Sequence, residues 1–154
     1  MSYEKFIKEY LERGLLKEQE VSFSSIEKYI LRAEQEIKAA KANLKIDEGV
    51  AYTTAYSAML HAGRAVMLLK GFRPSDGYQH RTVVEFSGYI LGRDFKALVQ
   101  YFDRMRRKRN AFIYEVSISF SDTEVKNAIS KAGLLVEVIE SIIKRENPQK
   151  RFKF

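Results

Sequence analysis

A chain of 154 residues is long enough for one domain around one sizeable core, and 45% apolar with 31% charged residues excludes a disordered polymer. The lack of cysteine excludes disulfide staples, zinc–cysteine sites and thiol catalysis, and suits a reducing cytoplasm, the expected location. A net charge of +7 and a pI near 9.5 favour polyanionic partners such as nucleic acid or an acidic protein face.

The opening MSYEKF carries no apolar signal core, so export is not expected. Residues 3–13 read as a short amphipathic helix with Tyr3, Phe6, Ile7, Tyr10 and Leu11 on one side, stopped at Gly14. Residues 1–20 form an N-terminal extension to a bundle spanning 24–145. Ser24 and Glu27 have capping-box spacing, and Ile26, Ile30, Ala33, Ile37, Ala40 and Leu44 follow at helical steps. Asp47-Glu48-Gly49 is expected to break that helix. The next, AYTTAYSAMLHAGRAVMLLKG, runs from about residue 50 to 70 and ends at Gly71 with Pro74 beyond. Its row Ala51, Ala55, Ala58, Ala62, Ala65, Leu69 admits a close neighbour, and apolar residues on its other faces make it the central helix. His61 and Arg64 interrupt it, so no segment is long and apolar enough to span a bilayer.

FRPSDGYQH (72–80) reads as a loop carrying His80. Helices follow over 80–91, over 95–116 with Asp94 as its cap, and from Ser121, which has Glu124 at capping-box spacing. The last carries Val125, Ala128, Ala132, Leu135, Ile139 and Ile142 and stops at Pro148, leaving 147–154 as a basic aromatic tail. No strand is evident. The expectation is a single all-α domain, an up-and-down antiparallel bundle of about five to six helices.

RMRRKRNAFIYE (104–115) is the chemically distinctive stretch. At about 100° per residue, Leu98, Phe102, Met105, Phe112, Ile113 and Val116 form an apolar stripe. Arg104, Arg107 and Lys108 point to solvent, Arg106 lies on the shoulder, and Arg109 falls on the stripe itself. An arginine there needs an ion pair, for which a glutamate of the first long helix is one source, or a cleft where its fork meets a phosphate. Asn110 and Tyr114 share the flank beside Arg106 and Arg107, a plausible lining for a nucleotide or RNA cleft. His61 reads as a satisfied histidine of the central helix. No metal-ligand cluster, Walker loop or GxGxxG is present, so no metal or cofactor is expected.

The central helix AYTTAYSAMLHAGRAVMLLKGFRP, with His80 and then Arg109-Asn110 and Tyr114, resembles the HEPN superfamily (higher eukaryotes and prokaryotes nucleotide-binding domains) over roughly residues 24–145. The resemblance implies an antiparallel helical bundle, a homodimer, and partnership with a minimal nucleotidyltransferase in a toxin–antitoxin pair. In its metal-independent RNase members, an Arg steadies the phosphate and a His four to six residues later assists proton transfer. This chain keeps Arg109 and Asn110 but has Tyr114 in the histidine's place, and a phenol is a poor base at neutral pH. The implied function is a nucleotide- or RNA-binding module using Arg106, Arg109, Asn110 and Tyr114. Two readings stand beside it: an RNase in which Tyr114 or His80 replaces the usual histidine, and a ligand-free interaction protein. Membrane association is not expected.

Overall fold

The computed structural model describes residues 1–75 and 79–147. Among these residues the chain forms six α-helices and one two-stranded antiparallel ribbon: α1 (Tyr3–Glu12), β1 (Leu16–Glu18), α2 (Phe23–Asn43), α3 (Glu48–Leu69), β2 (Phe72–Pro74), α4 (Gln79–Leu91), α5 (Lys96–Tyr114) and α6 (Asp122–Glu146). This is the expected all-α bundle. Pro148 and the tail beyond it lie outside the described residues.

The bundle is organised around α3. Ala51, Ala55, Ala58, Ala62 and Ala65 are fully buried, and α2 and α6 make the most extensive contacts with it. Two glycines of α3 set the approach of other helices. A Cβ at Gly63 would lie 2.5 Å from Val83 Cγ1 of α4, so even a methyl group would force repacking at about 1–3 kcal/mol. A Cβ at Gly49 would lie 2.4 Å from Phe112 Cζ, which fixes where the end of α5 meets the start of α3. The expected break after α2 falls between Asn43 and Glu48, where Asp47 caps α3 by accepting from the Val50 amide at 3.0 Å, and Gly49 lies just beyond it as a packing residue inside α3.

Other boundaries differ from the sequence reading for local reasons. Ser22, not Ser24, caps α2, accepting from the Ser25 amide at 3.3 Å, so the helix begins two residues before the expected cap could act. Asp94 sits within a single 3-10 turn (Arg93–Phe95), and α5 starts after Phe95 without a side-chain cap. Ser121 does cap α6, accepting from the Glu124 amide at 3.1 Å. His80 belongs to the first turn of α4 rather than to a loop. At the other end of α5, Ile113 and Val116 are exposed, so the apolar stripe is buried only through Leu98, Phe102 and Met105.

The two strands were not anticipated. Leu16 pairs with Pro74, Lys17 with Arg73 and Glu18 with Phe72. The ribbon continues through Gln19 N–H donating to Gly71 O (2.8 Å) and Ser75 N–H to Leu15 O (3.0 Å). Gly71 turns the chain out of α3 with φ +88, a left-handed geometry that favours glycine. α1 is held by its aromatics: Phe6 is buried, stacks on Tyr89 of α4 at 4.3 Å and meets Phe86 edge-on at 6.1 Å, while Tyr10 donates its hydroxyl to Glu85.

Candidate functional site

The five cations of the α5 run have different fates. Arg106 Nε donates to Asp103 at 2.9 Å, and Arg107 reaches the same carboxylate at 3.3 Å. Lys108 does not simply face solvent: half-buried, it crosses to α6, donating to Glu124 at 2.6 Å with its ammonium 4.6 Å from the Phe120 ring centroid. Arg104 is exposed and lies over Tyr101 at 5.2 Å. Arg109 is half-buried and, among the described residues, has no carboxylate partner. No glutamate of α2 pairs with it among the described residues, and the buried one, Glu36, is bonded to His61 Nδ1 at 2.6 Å.

Arg109 instead projects towards α3. Its guanidinium carbon lies 6.0 Å from the centroid of the Tyr56 ring, a cation–π distance, and one of its nitrogens donates to Asn110 Oδ1 at 3.3 Å. Tyr56 is buried, and its hydroxyl is 3.0 Å from His80 Nδ1. Three elements thus converge: α5 supplies Arg109 and Asn110, α3 supplies Tyr56, and the first turn of α4 supplies His80. Arg106 stands close enough for its charge to act on both Tyr56 and His80. Tyr114 is not part of this convergence. It ends α5 at 85% exposure and makes no hydrogen bond among the described residues.

The electrostatics follow from burial beneath arginines. Burial, then the charges of Arg109, Arg106 and Arg64, push the His80 pKa below its ordinary value, so the imidazole is neutral at pH 7. Burial raises the Tyr56 phenol well above its ordinary value despite the opposing pull of Arg109 and Arg106, so it stays protonated. A neutral imidazole, a neutral phenol and an unpaired guanidinium can bind an anion and exchange a proton with it. Among the described residues no group of three His, Asp or Glu could hold a metal ion, and no helix is long and apolar enough to cross a membrane.

Tyr56 was missed by sequence reasoning. The available signal was its place seven residues before Gly63, two turns along the same face of α3, and Gly63 packs against α4. That periodicity marks Tyr56 as facing α4, but not as meeting His80.

No curated protein matches the chain. A family model does: that of the HEPN domain, over residues 26–142, from the first turn of α2 to near the end of α6. The matched region contains Tyr56, His80, Arg109 and Asn110, and the chain belongs to the HEPN domain family.

Proposed function

We propose that this protein is a nucleotide- or RNA-binding HEPN module whose phosphate contact is Arg109, with Asn110 and Arg106 beside it. The observation that carries the reading is the isolation of Arg109. Its neighbours Arg106, Arg107 and Lys108 each hold a carboxylate, whereas Arg109, half-buried over Tyr56, has none among the described residues. A cation that has lost part of its hydration and gained no counter-charge favours an incoming anion, and a guanidinium fork fits phosphate. A homodimer belongs to the same reading. Ile113, Tyr114 and Val116, exposed at the end of α5, offer it an apolar surface next to the site. A nucleotidyltransferase partner is the interaction to seek by co-purification.

The second reading is a metal-independent RNase, and the neutral His80 is the observation that favours it. Proton abstraction requires the tautomer in which Nδ1–H donates to the Tyr56 hydroxyl oxygen, leaving the Nε2 lone pair free. Nε2 would take the proton of the ribose 2′-hydroxyl as that oxygen attacks phosphorus. Arg109 would hold the phosphate, and the 5′-oxygen would leave with a proton taken from water, giving a 5′-hydroxyl and a 2′,3′-cyclic end.

Single-stranded RNA incubated in EDTA with wild type, Arg109→Ala and His80→Gln separates the two. Binding without cleavage, weakened in Arg109→Ala, is the expected result. Cleavage by wild type that is lost in both variants makes the protein a nuclease. Its rate should rise with pH through the depressed His80 pKa and level off by pH 7. Equal binding by wild type and Arg109→Ala would refute the site.

A further inference from the structure

A second cationic concavity lies apart from the Arg109 cluster. It is a cavity of about 520 Å³ between the N-terminal half of α2, the C-terminal half of α3 and the β1–β2 ribbon. That size suits a small ligand, since such sites run from about 300 to 1,000 Å³. Its cations come from three elements: Lys28 and Arg32 of α2, Arg64 of α3 and Arg73 of β2. Glu20 is the carboxylate in the lining.

The pairing pattern makes this a site rather than a basic surface. Glu36, buried beneath, is taken up by His61 at 2.6 Å and approaches Arg32 at 3.7 Å. Among the described residues, Lys28, Arg64 and Arg73 have no carboxylate partner. Arg64 is held over the Tyr29 ring at 5.6 Å, and Arg73 reaches only the Pro74 carbonyl at 3.5 Å. Arg64 and Arg73 are both half-buried, so their charges are partly desolvated inside a concave wall. Ser22 and Ser25 bring the start of α2, with its partial positive charge, to the same cavity. Tyr29 and Phe72 add aromatic surface.

We infer that this cavity binds one nucleoside phosphate, with the phosphate on Arg64 and Arg73 and the base against Tyr29 and Phe72. Two guanidinium forks on one cavity suit a doubly charged phosphate. The aromatic walls suit a planar ring, because base–aromatic stacking tolerates any base. A volume of about 520 Å³ has room for one nucleotide, either free or the terminal residue of a strand. Of the residues named, Arg64 alone also acts on the Arg109 cluster, through its charge on His80; Arg73, Tyr29 and Phe72 belong to the cavity, so the inference does not depend on the reading of that cluster.

Titration with AMP, ATP, inorganic phosphate, and 5′-phosphorylated and 5′-hydroxyl oligoadenylate tests it, using wild type, Arg64→Gln/Arg73→Gln, Arg109→Ala and, as a control outside both sites, Arg107→Gln. AMP or ATP should bind wild type at least tenfold more tightly than inorganic phosphate does. The double variant should weaken that binding at least tenfold, and Arg107→Gln, at an exposed arginine already paired with Asp103, should change it less than twofold. Binding of the 5′-phosphorylated oligomer alongside AMP identifies a strand end as a source; binding of mononucleotides alone identifies a free nucleotide. Because Arg64 packs on Tyr29, wild-type NMR gives a check free of substitution: AMP should shift the Tyr29 and Phe72 ring signals. No nucleotide binding by wild type would overturn the inference. So would phosphate binding as tightly as AMP, loss of nucleotide binding in Arg109→Ala equal to that in the double variant, or shifts confined to residues around Tyr56 and Arg109. Loss of RNA binding in Arg109→Ala with AMP binding intact would separate the two sites.

Discussion

Five of the six residues from Arg104 to Arg109 are cationic, and three of those five are held by Asp103 or Glu124. The cavity beneath the ribbon gathers four cations from three separate elements, and among the described residues only Arg32 of the four approaches a carboxylate. Dense charge along one helix is easily neutralised by neighbours three or four residues away, as Asp103 does for Arg106 and Arg107. Cations brought together by the fold have no such local partners, and their repulsion is relieved by a ligand. Charge density in sequence is therefore a poor guide to an anion site; the absence of a partner is a better one.

The largest expected effect lies inside the α5 run. Arg109→Ala should weaken single-stranded RNA binding at least tenfold at fixed salt, and Arg107→Ala should change it less than twofold, because Arg107 is exposed and already shares Asp103. Fluorescence anisotropy on both variants checks this, and equal losses would erase the distinction between paired and unpaired cations. Next in size is Lys108→Met. It leaves Glu124 without its partner and should lower stability by about 1 kcal/mol, a fall of roughly 2–4 °C in Tm, with RNA affinity kept. A thermal melt run beside the anisotropy titration would show whether Lys108 joins helices or binds ligand.

The smallest effect concerns two acids that share a proton across α2 and α6. Burial, then a hydrogen bond with Glu34 and its charge, raises the Glu140 carboxyl to about 7. A carboxyl raised in the folded state stabilises the fold at low pH, and that stability is lost as pH climbs from about 4.5 to about 7. With solvent screening the change is about 1 kcal/mol or less. Glu34→Gln removes the like charge and should flatten the decline in Tm between pH 5 and pH 8. An unchanged slope would place its origin elsewhere.

Much of the bundle could be read from the sequence, because long helices repeat their signals. The alanine row of α3 is buried as a row, and the apolar positions of α6 from Val125 to Ile142 are buried in register. Short signals were less secure. Ser24 and Glu27 had the right spacing for a cap, but Ser22 is the residue with extended backbone whose hydroxyl accepts from the Ser25 amide, and it caps the helix. A glycine beside two acids reads as a break, yet at Gly49 the missing side chain makes room for Phe112. At the site, Arg109 stood out as a charge on an apolar stripe. The contact of His80 with Tyr56 did not, because it depends on how α4 docks against α3. Three-residue strands are too short to show alternation, and β1 and β2 take their pairing from each other across the whole α2–α3 hairpin.

That ribbon has a kinetic consequence. Leu16 can meet Pro74 only after α2 and α3 have folded back on each other, so the ribbon closes a long loop around a helix pair that is already formed. The wall that carries Phe72 and Arg73 should be among the last parts to assemble and the first to open. The Gln19 and Ser75 amides, which extend the ribbon at its two ends, should exchange with solvent sooner than the amides of α3. A ligand seated beneath would slow that exchange, making the opening of the ribbon a readout of binding.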